Sequence, residues 1–340
     1  MRVAFFVVAV LVGAGLCGAL VAVGASETGM PVPLAGLPLR GASHLRLLVA
    51  DNPPFVLDVD TGRVTPLRAP VVMRHGVLWV TAVAGDGGVI VAGYPKGRIY
   101  GVRARGARPI FLGRGSAVVP SGGETSVWIK SGTGSACRLR QFALDGHQIG
   151  HEQSLACSAT IESGGSLGLI YSRTRVVDPL TGRTLLRTRY GVVAAAGKRL
   201  VLAGPGRAFT LLDTATGTQK KRAWPSVLSG LDTPSADYQG RRIALAFADP
   251  AWQGGPKQAM DVWILDTRTG RLTHLPGMPT FVDLKFTSMD WTTDGRFVVL
   301  GETDHKGFVA VWRPGAAKLQ IKRLPLPQRT SGSDSFAPLR

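Results

Sequence analysis

The sequence predicts an all-β fold, a ring of repeated antiparallel sheets, on three observations. A turn signature recurs along the chain, the segments between its copies alternate polar and apolar residues, and Gly or Pro breaks them about every 8–12 residues. All 340 residues are consistent with one large β domain or two smaller ones, and with 45% hydrophobic residues and 3 Cys the chain is neither disordered nor a disulfide-dense mini-scaffold.

The clear turn copies are Asp58-Val59-Asp60-Thr61-Gly62, Asp178-Pro179-Leu180-Thr181-Gly182, Asp213-Thr214-Ala215-Thr216-Gly217 and Asp266-Thr267-Arg268-Thr269-Gly270. Each follows a short β-prone run. Asp can accept a hydrogen bond from the backbone two residues on, and Gly supplies the positive φ that closes a hairpin. Degenerate copies stand at Arg105-Gly106, Asp145-Gly146 and Pro314-Gly315. The seven glycines are spaced about 42 residues apart on average, a propeller period, so seven copies predict a seven-bladed β-propeller of four-stranded antiparallel blades. Helical repeats are excluded because segments such as Arg199-Leu200-Val201-Leu202 alternate with period two.

In chain order, Val3 to Gly24 carries no charge and follows only Met1 and Arg2, which predicts an export signal cleaved after Ala25 or an uncleaved anchor helix. Lipidation at Cys17 is disfavoured, since Leu16 precedes it where a small residue is needed. Residues 26–40 read as a linker and 41–327 as the propeller. The first repeat offers Leu45–Ala50, Phe55–Val59 and Val64–Leu67 but no inner strand. The tail 328–340, ending Ser335-Phe336-Ala337-Pro338-Leu339-Arg340, either returns to supply that strand or frays. The last repeat reads as Lys285–Trp291, Arg296–Gly301, Gly307–Trp312 and Lys318–Leu324. Trp79, Trp128, Trp263, Trp291 and Trp312 fall inside strands and are expected to pack between blades.

Within that repeat, Ser288-Met289-Asp290-Trp291-Thr292-Thr293-Asp294-Gly295-Arg296-Phe297-Val298-Val299 resembles the aspartate-glycine-arginine core of TolB-type propeller repeats, cousins of the WD repeats. Ala236-Asp237-Tyr238-Gln239-Gly240-Arg241-Arg242-Ile243-Ala244 is a looser match. The resemblance covers about residues 235–325 well and earlier repeats only by pattern. It implies a fold and an extracytoplasmic interaction role, not a reaction. The histidine and Trp-Asp signatures of true WD repeats are missing, as are the aspartate boxes of sialidase-like propellers.

An exported chain can form disulfides, and Cys137 and Cys157 flank a hairpin centred on Asp145-Gly146, so they are expected to pair. Counting outward from that turn places Cys137 opposite about Ser154. The formal charge of +18 becomes +17 once residues 1–25, with Arg2, are removed. Compositional bias accounts for part of that, and attraction to anionic envelope polymers or lipid headgroups is the sharper reading. Nucleic acid is a poor partner for an exported protein, and the longest basic run is only Lys220-Lys221-Arg222.

Linear motifs for catalysis, metal or cofactor binding are missing. The six histidines are dispersed, and His147 and His151 on one strand would stand about 13 Å apart, too far for one metal ion. No Gly-x-Ser-x-Gly elbow, phosphate loop or dinucleotide fingerprint has a strand-to-helix context. In a four-stranded blade the Thr-Gly turns share one face, and the longer connections, Ala223 to Ser235, Ala248 to Met260, Pro276 to Val282 and Glu302 to Lys306, share the other. The loop Asp249-Pro250-Ala251-Trp252-Gln253-Gly254-Gly255-Pro256-Lys257 carries a Trp, the residue type most enriched at binding hot spots. Trp224, Asp232, Phe281, Asp304, His305 and Lys306 are expected to share its rim, unless Trp252 folds back on its own blade. The sequence therefore predicts a non-catalytic scaffold for a protein or envelope polymer. The alternative is a lyase or hydrolase with its site at the central channel, for which the inner strands offer only Thr160, Glu162, Asp237, Lys285 and Asp290.

Overall fold

The computed structural model describes residues 34–339 other than 52, 68–76, 84–86, 93–96, 104–107, 122–125, 160, 164–168, 173, 179–180, 227, 229, 232–233, 249–259, 279–284, 304–305 and 328–334. The apolar segment 3–24, and the signal or anchor helix expected there, lies outside those residues. Every described helix-or-strand element is a strand, and no described helix is long and apolar enough to cross a membrane.

The strands pair into seven sheets. The second runs Val77–Val83, Gly87–Ala92, Gly97–Arg103, Ile110–Gly115, and the third Ala117–Pro120, Ser126–Thr133, Ala136–Ala143, Gln148–Ala156. The fourth comprises Glu162–Ser163, Leu169–Ser172, Arg175–Val177 and Thr184–Arg187, and the fifth Val192–Ala196, Arg199–Ala203, Ala208–Asp213 and Gln219–Ala223. In the sixth, Gly230–Leu231 and Ser235–Ala236 both pair with Arg242–Ala248, followed by Met260–Asp266 and Leu272–His274. The seventh is Lys285–Trp291, Phe297–Thr303, Lys306–Trp312 and Leu319–Leu324. The first sheet joins the two ends of the chain: Phe336–Leu339 pairs antiparallel with Arg46–Val49, which continues to Phe55–Asp58 and Val64–Pro66.

Period-two alternation explains how these sheets assemble. On Arg46–Val49, Leu47 and Val49 pack with Val298, Leu300 and Val309 of the seventh sheet, whereas Leu48 packs with Ile90 and Tyr100 of the second. Each side chain that is fully buried in this way contributes about 1.5–3 kcal/mol of apolar transfer. Comparable cores fill each remaining junction between consecutive sheets, so the packing runs continuously around a closed ring. Trp128 belongs to the core between the third and fourth sheets, and Trp291 and Trp312 to that between the sixth and seventh. Trp263 is half-buried between the fifth and sixth. The side chain of Trp79 lies outside the described residues.

The Asp-x-x-Thr-Gly copies join the third and fourth strands of the first, fourth, fifth and sixth sheets. In all four the Gly amide donates to the Asp carbonyl at 2.8 Å, with Gly φ of 73°, 68°, 71° and 70°. The Asp carboxylate also reaches one residue further than expected. The Thr61 amide and hydroxyl donate to the Asp58 carboxylate at 2.8 and 2.9 Å, and those of Thr269 to Asp266 at 2.7 and 2.8 Å. The expected reach of two residues is made as well, from the Asp60 amide to Asp58, the Ala215 amide to Asp213 and the Arg268 amide to Asp266. The Asp-Gly-Arg core of the resemblance forms the turn between inner and second strands in the seventh sheet. There the Thr292 hydroxyl accepts from the Arg296 amide at 2.9 Å, and Asp294 pairs with the Arg296 guanidinium.

Four expectations are corrected. Residues 26–40 are not all linker: Gly36–Pro38 adds a parallel strand to the outer edge of the seventh sheet, pairing with Leu319–Ile321. Glu302 to Lys306 is not a long connection, because Thr303 already pairs with Lys306. Ala223 to Ser235 contains the strand Gly230–Leu231. Cys137 stands opposite Leu155 rather than Ser154, because a bulge between Leu139 and Gln141 shifts the register. Cys137 and Cys157 form a disulfide with Cα atoms 4.8 Å apart.

Candidate binding faces

Antiparallel order puts the turns between inner and second strands and between third and fourth strands on one face of the ring, here the turn face. The remaining connections lie on the loop face. Of the residues expected on the loop face, Asp232, Asp249, Trp252, Lys257, Phe281, Asp304 and His305 lie outside the described residues, and Lys306 is described only as the first residue of its strand. Trp224 is described, and it is half-exposed. It follows Gln219–Ala223, its amide donates to the Arg207 carbonyl at 2.9 Å, and its ring lies 5.5 Å from that of Phe247. The Arg207 guanidinium sits 6.0 Å from its ring centroid, a cation–π contact.

Beside Trp224, at the junction of the fifth and sixth sheets, the structure places polar groups that motif reading missed. Asp261 is 1% exposed, accepts from the Trp263 indole at 3.0 Å and lies 2.7 Å from Nε2 of His274. Burial pushes the Asp261 carboxyl up, but hydrogen bonds from His274, Ser226 and Trp263 outweigh it and hold the group below its usual range. The signal was geometric: Asp261 and Trp263 are two apart on one strand, and Trp263 pairs with His274 on the next. The rings of Trp263 and His274 are 5.0 Å apart. Buried Asp261 thus fixes a partly exposed indole and imidazole in place, forming with Trp224 an aromatic, polar-tipped surface.

The turn face of the same junction holds a cavity of about 630 Å³ between the turns of the fifth and sixth sheets. Lys198, Arg199, Arg241, Arg242 and Arg268 line it, against Asp213 and Asp266. Its carboxylates are already engaged. Asp213 pairs with Arg199, whose Nε also donates to the Thr267 carbonyl at 2.9 Å. Burial would raise the Asp266 carboxyl, but the Thr269 amide and hydroxyl and the Arg268 charge lower it. Arg242 lies 3.6 Å from Asp237, while Lys198 and Arg241 are exposed and form no ion pair among the described residues. Close approach of two turns brings these cations together: a Cβ on Gly240 would stand 2.6 Å from the Gly197 nitrogen.

Two of the inner-strand acid or base candidates are engaged in local bonds. Asp237 accepts from the Arg241 and Arg242 amides at 2.7 and 3.1 Å. Asp290 accepts from its neighbour's Trp291 amide at 2.7 Å and from the Ser235 hydroxyl at 3.0 Å, while the Trp291 indole donates to the Ser235 carbonyl at 3.0 Å. These bonds staple the sixth sheet to the seventh. Thr160 and the side chains of Glu162 and Lys285 lie outside the described residues. His147 pairs with Asp145 at 2.6 Å and His151 is exposed on the outer strand of the third sheet. Among the described residues no three His, Cys, Asp or Glu side chains gather as metal ligands.

No protein-family model matches the sequence, and no curated protein matches it. Solved structures do match the fold. TolB from Acinetobacter baumannii aligns with a TM-score of 0.52 at 14% identity, over 88% of this chain and 68% of its own. A protein from Lactobacillus plantarum aligns at 0.51 and 13%, covering 87% and 99%. A chain of a mitotic checkpoint complex aligns at 0.52 and 15%, covering 89% and 99%.

Proposed function

We propose, from a TolB-type propeller fold, that this chain is a seven-bladed, exported, non-catalytic scaffold that binds a partner protein or envelope polymer through its loop face at the fifth to seventh blades. The observation that carries the reading is the half-exposed Trp224, Trp263 and His274 cluster held by buried Asp261 on that face. Rigid aromatic rings with polar tips anchor interfaces at low entropic cost. Trp252, Asp249 and Lys257 from the adjoining connection, with Asp232, Phe281, Asp304, His305 and Lys306, complete the proposed rim. The Cys137–Cys157 disulfide supports an oxidising compartment, as does the charge-free segment after Arg2.

Affinity capture from envelope fractions tests this, comparing wild type with Trp224→Ala and Trp252→Ala at low and high salt. A partner retained at high salt and lost in either variant, with the melting temperature of Trp252→Ala unchanged, supports a specific loop-face interface. Capture that is salt-labile and indifferent to both substitutions rejects it.

A further inference from the structure

We propose a second binding site, on the turn face opposite the one above, that takes a linear polymer bearing a phosphate at each repeat. The cavity of about 630 Å³ between the fifth and sixth sheets adjoins another of about 440 Å³ between the sixth and seventh, and they share Arg242, Asp266 and Arg268. Arg271 lines the second cavity. Together they form a trough, far larger than one phosphate ion requires, with cations placed along its length. Lys198, Arg241, Arg268 and Arg271 are exposed, so their charge is available to a ligand. Asp213 is paired with Arg199, and Asp266 keeps its charge, but six cations against two carboxylates leave the trough positive.

Five of the six cations are Arg, whose planar fork matches the paired non-bridging oxygens of a phosphate. A polymer adds a gain that a single ion lacks, because each neutralised phosphate releases condensed counterions. The trough is also built rather than accidental. The Gly197–Gly240 approach sets its inner wall, and Arg199 is locked to the neighbouring sheet through the Thr267 carbonyl.

Fluorescence anisotropy of the purified full chain with labelled linear polyphosphate, over a salt series, tests the proposal. Arg241→Gln with Arg268→Gln is expected to weaken binding at least tenfold and to lower the slope of log affinity against log salt by about 1.4 to 1.8. Lys220→Gln with Lys221→Gln removes the same charge from the exposed outer strand of the fifth sheet and is expected to change affinity less than twofold. Should the first double variant fail to melt like wild type, Lys198→Gln alone serves, with an expected loss of about threefold. Trp224→Ala and Trp252→Ala should leave polyphosphate binding intact, which separates this site from the loop face. Equal losses in groove and outer-strand variants, equal affinity for polyglutamate, or groove-dependent binding only to anionic phospholipid vesicles would each overturn the proposal.

Discussion

Gly240 and Gly295 occupy matching turns in the sixth and seventh sheets, yet they face different surroundings. Both adopt left-handed φ, 68° and 80°, but a Cβ on Gly240 would meet the Gly197 backbone at 2.6 Å, whereas one on Gly295 has only the Gln239 amide nitrogen at 3.8 Å. Gly295→Ala should therefore cost about 1–2 kcal/mol of conformational strain. Gly240→Ala adds a backbone clash and should cost clearly more, as chemical denaturation of the two variants would show. Equal losses would mean that the close approach is unimportant to stability. Asp290 differs again. The residue keeps some exposure, but its carboxyl sits deep between sheets, and that burial pushes its pKa up to about 6 against the bonds from the Trp291 amide and Ser235. The native state then holds a proton more tightly than the unfolded chain, whose Asp titrates near about 3.9. Stability from this group is greatest below about pH 4, falls as pH rises to about 6 and stays low above it. Asp290→Asn should flatten that fall and raise stability at neutral pH by at most about 3 kcal/mol, read from melts between pH 4 and 8. A wild-type melt with no decline across that window that the variant abolishes would refute the shift.

The third sheet shows what one covalent link does for an element. Cys137 lies on its third strand and Cys157 just past its fourth, and the Lys130 ammonium, 7% exposed, donates to the Cys157 and Ala159 carbonyls at 2.5 Å each. Removing both thiols opens a loop of 20 residues' separation, worth about 3 kcal/mol in the chain-entropy model. Cys137→Ser with Cys157→Ser should lower thermal stability accordingly and leave both proposed interactions unaffected. No shift in melting temperature would show that Lys130 and the packed Leu139 and Trp128 hold the element alone. Such elements were largely legible in the sequence, for identifiable reasons. Alternation marked the strands, and the Asp-x-x-Thr-Gly turns marked the join of third to fourth strand because that geometry needs both a capping Asp and a positive-φ Gly. The parallel strand Gly36–Pro38 was not legible, because three residues with two exposed faces carry no alternation to read. The bulge that moved the partner of Cys137 by two residues left no signal either. The groove was hidden for a different reason: its cations come from three separate turns, so nothing in linear order joins Lys198 to Arg241 and Arg268.

At the scale of the whole molecule, stability depends on a ring in which every sheet shares its core with two neighbours. The first sheet is the join, and its inner strand Phe336–Leu339 comes from the far end of the chain. Phe336 packs toward the seventh sheet, and Ala337 and Leu339 toward the second. The same seam is held by Arg296 donating to the Ser43 carbonyl at 2.7 Å and by Lys322 donating to that of Asp60. Truncation after residue 334 would uncover the edge of Arg46–Val49 and strip apolar contacts from two junctions at once. Burial of Phe336 and Leu339 alone suggests a loss of about 3–6 kcal/mol, comparable with the whole stability of many domains. The truncated chain should melt far lower, and in more than one step, since an opened ring no longer couples its ends. Arg296→Ala, which removes one polar tie and leaves the strand in place, should cost much less and keep a single transition. A truncated protein melting with wild-type temperature and cooperativity would show that the lateral cores hold the ring without its closing strand.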